Sequence, residues 1–337
     1  MPASALQEKH ALVDRAVSLL DDAADPAAAF VRLFYANVAP QDLLGRTPEN
    51  LLAAARSLFA LGEGRGPGEV RLRILTGPAD GLTWRSEHAI VQIVHDDMPF
   101  LVDSVTAALS QSDVGVHLVI HPIVRRGGAA GSDDSCMHIE IEKHTAPDAL
   151  ALVEAELRTA LADVRRAVAD WRAMREQTLA LVSHLRAPGR AAANDEIEEA
   201  ATFLAWLEAD HFTFLGQRFY ALDTEAGAAG ALTVRPGSGL GVLANDALTV
   251  FEGAGRGALS PEIAAFLEGP SLLLVSKASR RSTVHRAVPM DVILIKRFGA
   301  DGRVEGLQLI AGLFTSAAYS KSPRDMPLLR RKVARVL

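Results

Sequence analysis

The chain has 337 residues and a formal net charge of −6 at pH 7. This length predicts about two domains, and the acidic balance disfavours a general nucleic-acid binder, which is normally basic. The single cysteine, Cys136, excludes an internal disulfide and a cysteine-based zinc site, and it fits a reducing compartment. The sequence has no secretory signal pattern and no apolar run of about 18 residues. We therefore expect a cytoplasmic protein with no nucleic-acid partner and no membrane partner.

Residues 1–66 are predicted to form an N-terminal helical segment. Asp25 before Pro26, and Thr47 before Pro48, combine an N-cap residue with a proline at the first helical position. Apolar residues follow each pair at helical spacing. Residues 62–68 contain four glycines and one proline. This composition predicts a loop and a domain boundary.

Residues 67–190 are predicted to form a ferredoxin-like module with a long helix. The alternating or apolar runs that predict its strands lie at residues 70–74, 90–94, 114–126 and 136–143. A helix is expected at 99–110, and a turn that includes Asp133 and Asp134 is expected between the last two strands. Along the chain, the order strand, helix, strand, strand and then a long helix is that of the split βαβ fold. The helix at 147–186, roughly 60 Å long if straight, is expected to bend, break or pack on a neighbour.

Residues 191–337 are predicted to form a second, PAS-like domain with an antiparallel sheet, which makes the whole chain α+β. The helical patterns lie at 195–210, near 246–251 and at 261–268, and the strand patterns lie at 212–222, 271–277, 290–298 and 304–314. Residues 299–302 are predicted to form a hairpin turn. Ser322-Pro323 resembles another helix start. We therefore expect further sequence after Leu337.

The junction between the second strand and the following helix carries the first candidate site. Its residues are Asp96, Asp97, Met98, Pro99, Asp103 and Ser104. Asp97 or Met98 is predicted to be the N-cap and Pro99 the first helical residue, where free backbone N–H groups suit a carboxylate. The acids cap the helix, bind the amino group of an effector or contact a partner subunit, and the sequence leaves these three readings open.

Histidines and acids alternate on the two later strands of the first module. His117 and His121 share one strand face, and the face of the next strand carries His138, Glu140, Glu142 and His144. The alternatives are a metal site, a protonation-sensitive interface, or a polar face toward solvent or a subunit. We favour the polar face, predict no metal, and add His121 and His138 to the candidate effector or interface residues.

Two further motifs lie in the second half of the chain. The run 237–242 has Val242 in place of the third glycine of the dinucleotide fingerprint, so we predict a tight turn and no cofactor site. A basic segment forms an anion-binding candidate, with a solvated hairpin or a contact to an acidic neighbour as alternatives. Its residues are Lys277, Arg280, Arg281, Ser282, His285 and Arg286. No catalytic motif is found, so we predict no catalytic residue.

Eight segments together resemble one family, the large bacterial NAD-specific glutamate dehydrogenases, in its N-terminal part. They are residues 96–105, 116–122, 137–140, 203–207, 210–216, 237–241, 277–286 and 312–319. Each segment alone is weakly specific, but they occur in order over most of the chain. The first 60 residues contribute little to the resemblance.

This resemblance implies ACT-like and PAS-like domains in the N-terminal part of a much longer chain that forms homotetramers. The parent enzyme would oxidise L-glutamate to 2-oxoglutarate and ammonia with NAD, as part of amino-acid catabolism. Its catalytic lysine and aspartate and its NAD site would lie outside this chain. The chain itself would then be a non-catalytic segment for allosteric regulation and oligomerisation, with an effector such as an amino acid. The alternative is a structural tetramer-assembly module without a ligand.

Overall fold

A computed structural model gives the structure of the chain. It describes residues 3–22, 25–77, 86–125, 133–143, 147–187, 194–223, 231–245, 248–249, 259–320, 322, 326–328 and 330. The chain divides into two compact units, Met1–Leu161 and Ala162–Leu337. The first unit therefore includes the predicted helical segment 1–66 together with the first sheet. The predicted boundaries at 66/67 and 190/191 stay predictions.

Three helices open the first unit, as the sequence predicts. They are α1 (Ala3–Val17), α2 (Pro26–Tyr35) and α3 (Pro48–Gly62). The Asp25 carboxylate accepts a hydrogen bond from the Ala27 N–H, and the Thr47 hydroxyl accepts one from the Asn50 N–H. Both predicted N-caps are therefore confirmed.

The first sheet is antiparallel throughout. Its strands are β1 (Arg71–Leu75), β2 (Ala89–Asp96), β3 (Val116–Ile120), β4 (Ile123–Val124) and β5 (Asp134–Ile141), in the order β1-β2-β5-β3 with β4 beside β5. The prediction of a single long strand at 114–126 is wrong. The structure has two strands there, β3 and β4, because Pro122, which has no N–H, lies between them. Asp134 is the first residue of β5, where it pairs with Asp96 of β2, so it does not belong to the predicted turn.

Helices α1, α2 and α3 pack on one face of this sheet. Phe30 and Phe34 of α2 share a buried cluster with Val94 of β2, Ile120 of β3 and Cys136 of β5. Helix α4 (Leu101–Gln111) connects β2 to β3. In the described part of the first unit, helices therefore cover one face of the sheet.

Helix α5 (Pro147–Leu185) has 39 residues, which corresponds to about 58 Å of helix. The helix predicted at 147–186 is present without a break, and the expectation that it bends or packs on a neighbour stays a prediction. The division between the two compact units falls inside α5, after Leu161. Its first 15 residues therefore belong to the first unit and the remainder to the second.

The second unit contains a six-stranded antiparallel sheet. Its strands are β6 (Phe212–Asp223), β7 (Ala231–Val234), β8 (Leu240–Gly241), β9 (Leu273–Arg281), β10 (Pro289–Phe298) and β11 (Val304–Phe314), in the order β7-β6-β11-β10-β9 with β8 beside β6. The helices are α6 (Asn194–Trp206), α7 (Pro261–Glu268) and α8 (Ser316–Tyr319). The four predicted strands are present as β6, β9, β10 and β11, whereas the sequence analysis gives no strand pattern for β7 and β8. Most of the piece predicted near 246–251, and the helix start at 323–325, lie outside the described residues.

The C-terminal half of α5 lies in the core of this second unit. Met174, Leu181 and Leu185 of α5 pack with Ile293 of β10 and Ile310 of β11. The sheet face that carries these strand residues is therefore covered by α5. That arrangement positions the cavity described below.

Candidate functional site

The candidate acid Asp96, at the end of β2, is buried in an ion pair. Its Oδ1 accepts from Arg65 Nη2 at 2.8 Å, and its Oδ2 accepts from the Gly68 N–H at 2.9 Å. Arg65 also donates to Asp134, and the Arg65 side chain is fully buried. One guanidinium thus neutralises two carboxylates, and both oxygens of Asp96 already accept hydrogen bonds.

The helix after this junction begins later than predicted. Helix α4 starts at Leu101, and its N-cap Phe100 has φ 72° and ψ 0°. The expectation that Asp97 or Met98 caps the helix and Pro99 opens it is therefore wrong, because the left-handed residue Phe100 separates them from α4. The buried hydroxyl of Ser104 donates to the Phe100 carbonyl at 2.6 Å.

Asp97, Met98 and His121 are partly buried, whereas Pro99 and Asp103 are exposed. The Asp97 N–H donates to the Asp133 carbonyl at 2.6 Å. Burial lowers the pKa of His121, and the nearby charge of Asp97 opposes that shift. His121 Nε2 lies 2.7 Å from the Ser135 hydroxyl oxygen. The structure therefore brings Asp97 and His121 together, and their role as an effector or interface site stays a prediction.

His138 and Glu140 lie beneath the N-terminal helices, with 1% and 2% of their surfaces exposed. Arg46 donates to both carboxylate oxygens of Glu140, with Nη2 at 2.9 Å from Oε2. The Phe34 ring meets the His138 ring edge-on at 5.4 Å. The favoured reading of these two positions as a polar face toward solvent or a subunit is therefore wrong, because helices cover it.

Burial lowers the pKa of His138 to about 4, against the attraction of Glu140, and the positive charge of Arg46 adds to the lowering. Burial, the largest single influence, would raise the pKa of Glu140, but the hydrogen bond and the charge of Arg46, together with His138 and His88, outweigh it and the net shift is downward. At neutral pH the cluster thus holds a neutral imidazole beside an ion pair. His144, predicted on the same face, lies outside the described residues.

Further polar residues complete this cluster, and the sequence analysis missed them. Gln92 Nε2 and His138 Nδ1 lie 3.3 Å apart. Gln92 Oε1 accepts from Ser57 Oγ at 3.1 Å and from Arg73 Nε at 2.9 Å. We call Arg46, Ser57, Arg73, Gln92, His138 and Glu140 the first-sheet network. Arg46 and Glu140 are 94 positions apart, so no local pattern in the sequence signals their contact.

The basic segment of the anion-binding candidate contains several residues with structural partners. Lys277 Nζ lies 2.7 Å from Asp291 Oδ1, Arg281 donates to the Ala287 carbonyl at 2.8 Å, and Arg286 donates to the Phe314 carbonyl at 2.9 Å. Ser282 is buried and donates to the Val284 carbonyl. Arg280 is exposed, and His285 has a positive φ of 65°. The anion-binding role of these residues stays a prediction.

The glycine run before Val242 forms the expected tight turn into a strand. Gly237 has φ 71° and Gly241 has φ 59°. A Cβ at Gly241 would lie 2.1 Å from the Leu215 carbonyl oxygen. Close backbone approach and positive φ angles therefore account for these glycines.

A cavity of about 420 Å³ lies in the second unit, and no sequence motif signals it. Three strands line it, with Phe219 from β6, Arg297 from β10 and Gln308 from β11. Helix α5 contributes Gln177, Ala180, Leu181 and His184. The segment just after β7 contributes Arg235 and Ser238. The guanidinium carbons of Arg235 and Arg297 lie 4.3 and 4.9 Å from the Phe219 ring centroid. Such stacking orients both cations around one aromatic ring.

Two donor groups in this cavity wall have no hydrogen-bond partner among the residues that the structure describes. They are Arg297 Nε and Gln308 Nε2, and both atoms are buried. Gln308 is 4% exposed. A buried donor without an acceptor costs about 1–3 kcal/mol. An acceptor placed in the cavity could therefore form hydrogen bonds that these two groups do not make with the described residues.

The described residues contain no group of three or more histidine, cysteine, aspartate or glutamate side chains arranged to hold a metal ion. None of the described helices is long and apolar enough to cross a bilayer.

Two kinds of sequence match relate this chain to known proteins, one to a family model and one to individual relatives. Residues 30–157 match the family model described as glutamate dehydrogenase, ACT1 domain. The NAD-specific glutamate dehydrogenase of Halomonas elongata is 33% identical over 344 residues, which cover 97% of this chain and 21% of that protein. Its counterpart in Pseudomonas aeruginosa is 29% identical over 352 residues, which cover 99% of this chain and 22% of that protein. The chain spans about one fifth of the length of these curated relatives.

A search of solved structures found an RNA-binding light-oxygen-voltage receptor at 13% identity, covering 89% of this chain and 91% of the receptor chain. The TM-score is 0.19, which is too low for a structural argument. The sequence matches carry the assignment instead. They confirm the resemblance that the motifs indicated: over nearly its whole length this chain is similar to about one fifth of the large NAD-specific glutamate dehydrogenases, and part of it matches their ACT1 domain.

Proposed function

We propose that the chain is a regulatory and assembly segment of an NAD-dependent glutamate dehydrogenase and is not itself catalytic. The observation that carries this proposal is the match of nearly the whole chain to about one fifth of its relatives, together with the ACT1 domain at residues 30–157. The parent would oxidise L-glutamate to 2-oxoglutarate and ammonia with NAD. This segment corresponds to the N-terminal part of the parent and needs no NAD of its own.

The two sheets support sensory modules of two types. In the first, β2, α4, β3, β5 and α5 follow the split βαβ order, and β1 occupies the edge beside β2. This order supports an ACT-like module. In the second, the order β7-β6-β11-β10-β9 supports a PAS-like module, since its first strand lies between its second strand, at the edge, and its last strand. Regulation would require effector affinities that differ between two conformations of the parent.

The effector site of the ACT-like module would lie beside Asp97 and His121. Asp97 is partly buried and carries a charge that acts on the His121 ring. A carboxylate in such a setting can bind the amino group of an amino acid. Asp96 is less suited, because Arg65 and Gly68 already donate to its two oxygens.

Two measurements on the purified chain test the proposal. An assay of NAD reduction with L-glutamate should show no turnover, and measurable turnover would contradict the non-catalytic assignment. Melting temperatures measured with each common amino acid should rise for the effector, because a ligand of the native state stabilises it by RT ln(1 + [L]/Kd). Asp97→Asn should remove that rise. An absence of any rise across the set would refute amino-acid binding by this segment.

The alternative function is assembly of a homotetramer without a ligand, in the cytoplasm and without nucleic-acid or membrane partners. The observation that favours it is the exposure of large apolar side chains on α5, with Leu152 67%, Trp171 41% and Leu179 44% exposed. Scattered exposed apolar residues are common, so their effect must be measured. Sedimentation should show self-association that Leu152→Gln weakens, while a strictly monomeric chain would contradict assembly by this segment.

A further inference from the structure

The cavity of the second unit has a positively charged wall. Arg235 and Arg297 line it, and no acidic residue is found among the described residues that line it. Arg297 Nη2 forms an ion pair with Glu305 Oε1 at 3.4 Å, and Glu305 does not line the cavity. Guanidinium groups present several N–H donors in a planar fork and no acceptor. The cavity therefore offers donors and positive charge to whatever enters it.

The sheet register explains why these groups converge. Phe219 of β6 pairs with Gln308 of β11, and Arg297 of β10 pairs with Gly306 of β11. Paired residues of antiparallel strands share a face, as do residues two positions apart on one strand. Phe219, Gln308 and Arg297 thus lie on one face. The same face carries Gln217, which donates to α5.

Gln217 and Gln308 on this shared face differ in their hydrogen bonds. The Gln217 amide donates to the Met174 carbonyl and to the Thr178 hydroxyl, both at 2.8 Å. The Gln308 amide nitrogen is buried without an acceptor among the described residues, and so is Arg297 Nε. Buried donors in native proteins normally have a partner. An unfilled pair of donors in the wall of a cavity therefore indicates a missing acceptor.

We propose that this cavity binds a small organic molecule through an oxyanion, a carboxylate or a phosphate. Arg235 and Arg297 would neutralise its charge, and Gln308 would supply the amide donor. The Phe219 ring and Leu181 would contact its apolar part. The cavity volume of about 420 Å³ lies within the usual range for small-molecule sites, roughly 300–1,000 Å³. This site is independent of the proposed Asp97 site and of the parent reaction.

Calorimetric titration of the full 337-residue chain tests the proposal. The titrants are succinate, inorganic phosphate and, as a control at matched ionic strength, sodium chloride. Saturable binding of succinate or phosphate, but not of chloride, is expected, and the ligand that binds identifies the oxyanion. Heat changes equal to those of chloride would contradict the proposal. Melting temperatures in the same solutions report the same equilibrium.

Variants locate the binding site. Arg235→Gln and Gln308→Leu should each weaken binding by about tenfold or more, since both remove a donor to a charged acceptor. Arg303→Gln is the matched control, because Arg303 is an exposed arginine of the same unit outside the cavity and outside the anion-binding candidate. Equal losses for Arg235→Gln and Arg303→Gln, or a loss for Arg303→Gln alone, would contradict binding in the cavity.

Gln308→Leu also separates a ligand role from a structural one. The substitution keeps a similar volume and removes a donor that has no acceptor in the unliganded chain. The melting temperature without ligand should therefore stay the same or rise, while the ligand-dependent rise disappears. A chain that is destabilised without ligand and still binds succinate or phosphate with unchanged affinity would overturn the proposal.

Discussion

Buried polar side chains have different surroundings in the two units. In the first-sheet network, Arg46 pairs with Glu140, and Gln92 joins Ser57, Arg73 and His138 through hydrogen bonds. In the second unit, Gln308 and Arg297 have buried donors without acceptors among the described residues, and both residues line a cavity. Buried atoms without such a partner also occur outside this cavity, at Arg65 Nε and Gln217 Oε1. The comparison teaches that neither burial and charge nor an unmade hydrogen bond marks a site by itself. The second unit differs because two unpartnered donors line one cavity together with Arg235.

Breaking the buried ion pair of Arg65 in the first unit should have the largest effect. Arg65→Met would leave Asp96 and Asp134 buried without their shared cation. Loss of one partner of a buried pair typically costs about 3–5 kcal/mol. Urea unfolding would measure this loss. The exposed pair Arg32–Asp14 is the control, and Arg32→Met should cost less than about 1 kcal/mol. Similar costs for both variants would contradict a structural role for Arg65.

The pH dependence of the first-sheet network should be the next largest effect. His138 has a pKa of about 4 in the folded chain, below its ordinary 6.5. Between these values the unfolded chain binds the proton and the folded chain does not, so stability falls as pH falls. The expected loss from His138 between pH 7 and pH 5 is about 2 kcal/mol.

Urea unfolding of the native chain and of His138→Gln, at pH 7 and pH 5, isolates this contribution. Glu140 has a lowered pKa, so its stabilising charge is lost only as pH falls below its ordinary value of 4.5. The native chain should therefore lose more stability than the variant over this range. Equal losses would show that His138 does not stay neutral in the folded chain.

The two glutamines of the second sheet should differ by a smaller amount. Gln217→Leu leaves the Met174 carbonyl and the Thr178 hydroxyl without this donor, and the expected cost is about 1–2 kcal/mol. Gln308→Leu removes a donor without an acceptor, and the expected change lies within about 0.5 kcal/mol or is stabilising. Thermal unfolding compares them. Equal destabilisation would show that Gln308 has a structural partner.

Local features of the sequence predicted much of the fold. The pairs Asp25-Pro26 and Thr47-Pro48 begin α2 and α3 as expected, because N-caps and prolines act within one turn. The hairpin at 299–302 is also local, with the Gly299 N–H donating to the Arg303 carbonyl at 2.8 Å. The start of α4 was mispredicted because Phe100 adopts a left-handed conformation that composition does not indicate.

The polar clusters depend on contacts between distant parts of the chain. Arg46 reaches Glu140 only because α3 and its preceding segment pack on the first sheet. The cavity combines β6, β10, β11 and α5, and the register of the strands decides which side chains share its face. Sequence periodicity gives the alternation along one strand but not the neighbour across the sheet. Sequence analysis therefore identified candidate acids and bases but missed Gln308, Phe219 and Arg297.

NMR of arginine Nε–H signals during succinate and phosphate titrations tests the difference between the two units most directly. We predict that the Arg235 and Arg297 signals move saturably with at least one ligand, and that the Arg46 and Arg65 signals stay in place. Chloride at the same ionic strength should leave all four unchanged. Equal movement of signals from both units, or no movement of the Arg297 signal, would contradict the assignment of the second-unit cavity as a ligand site.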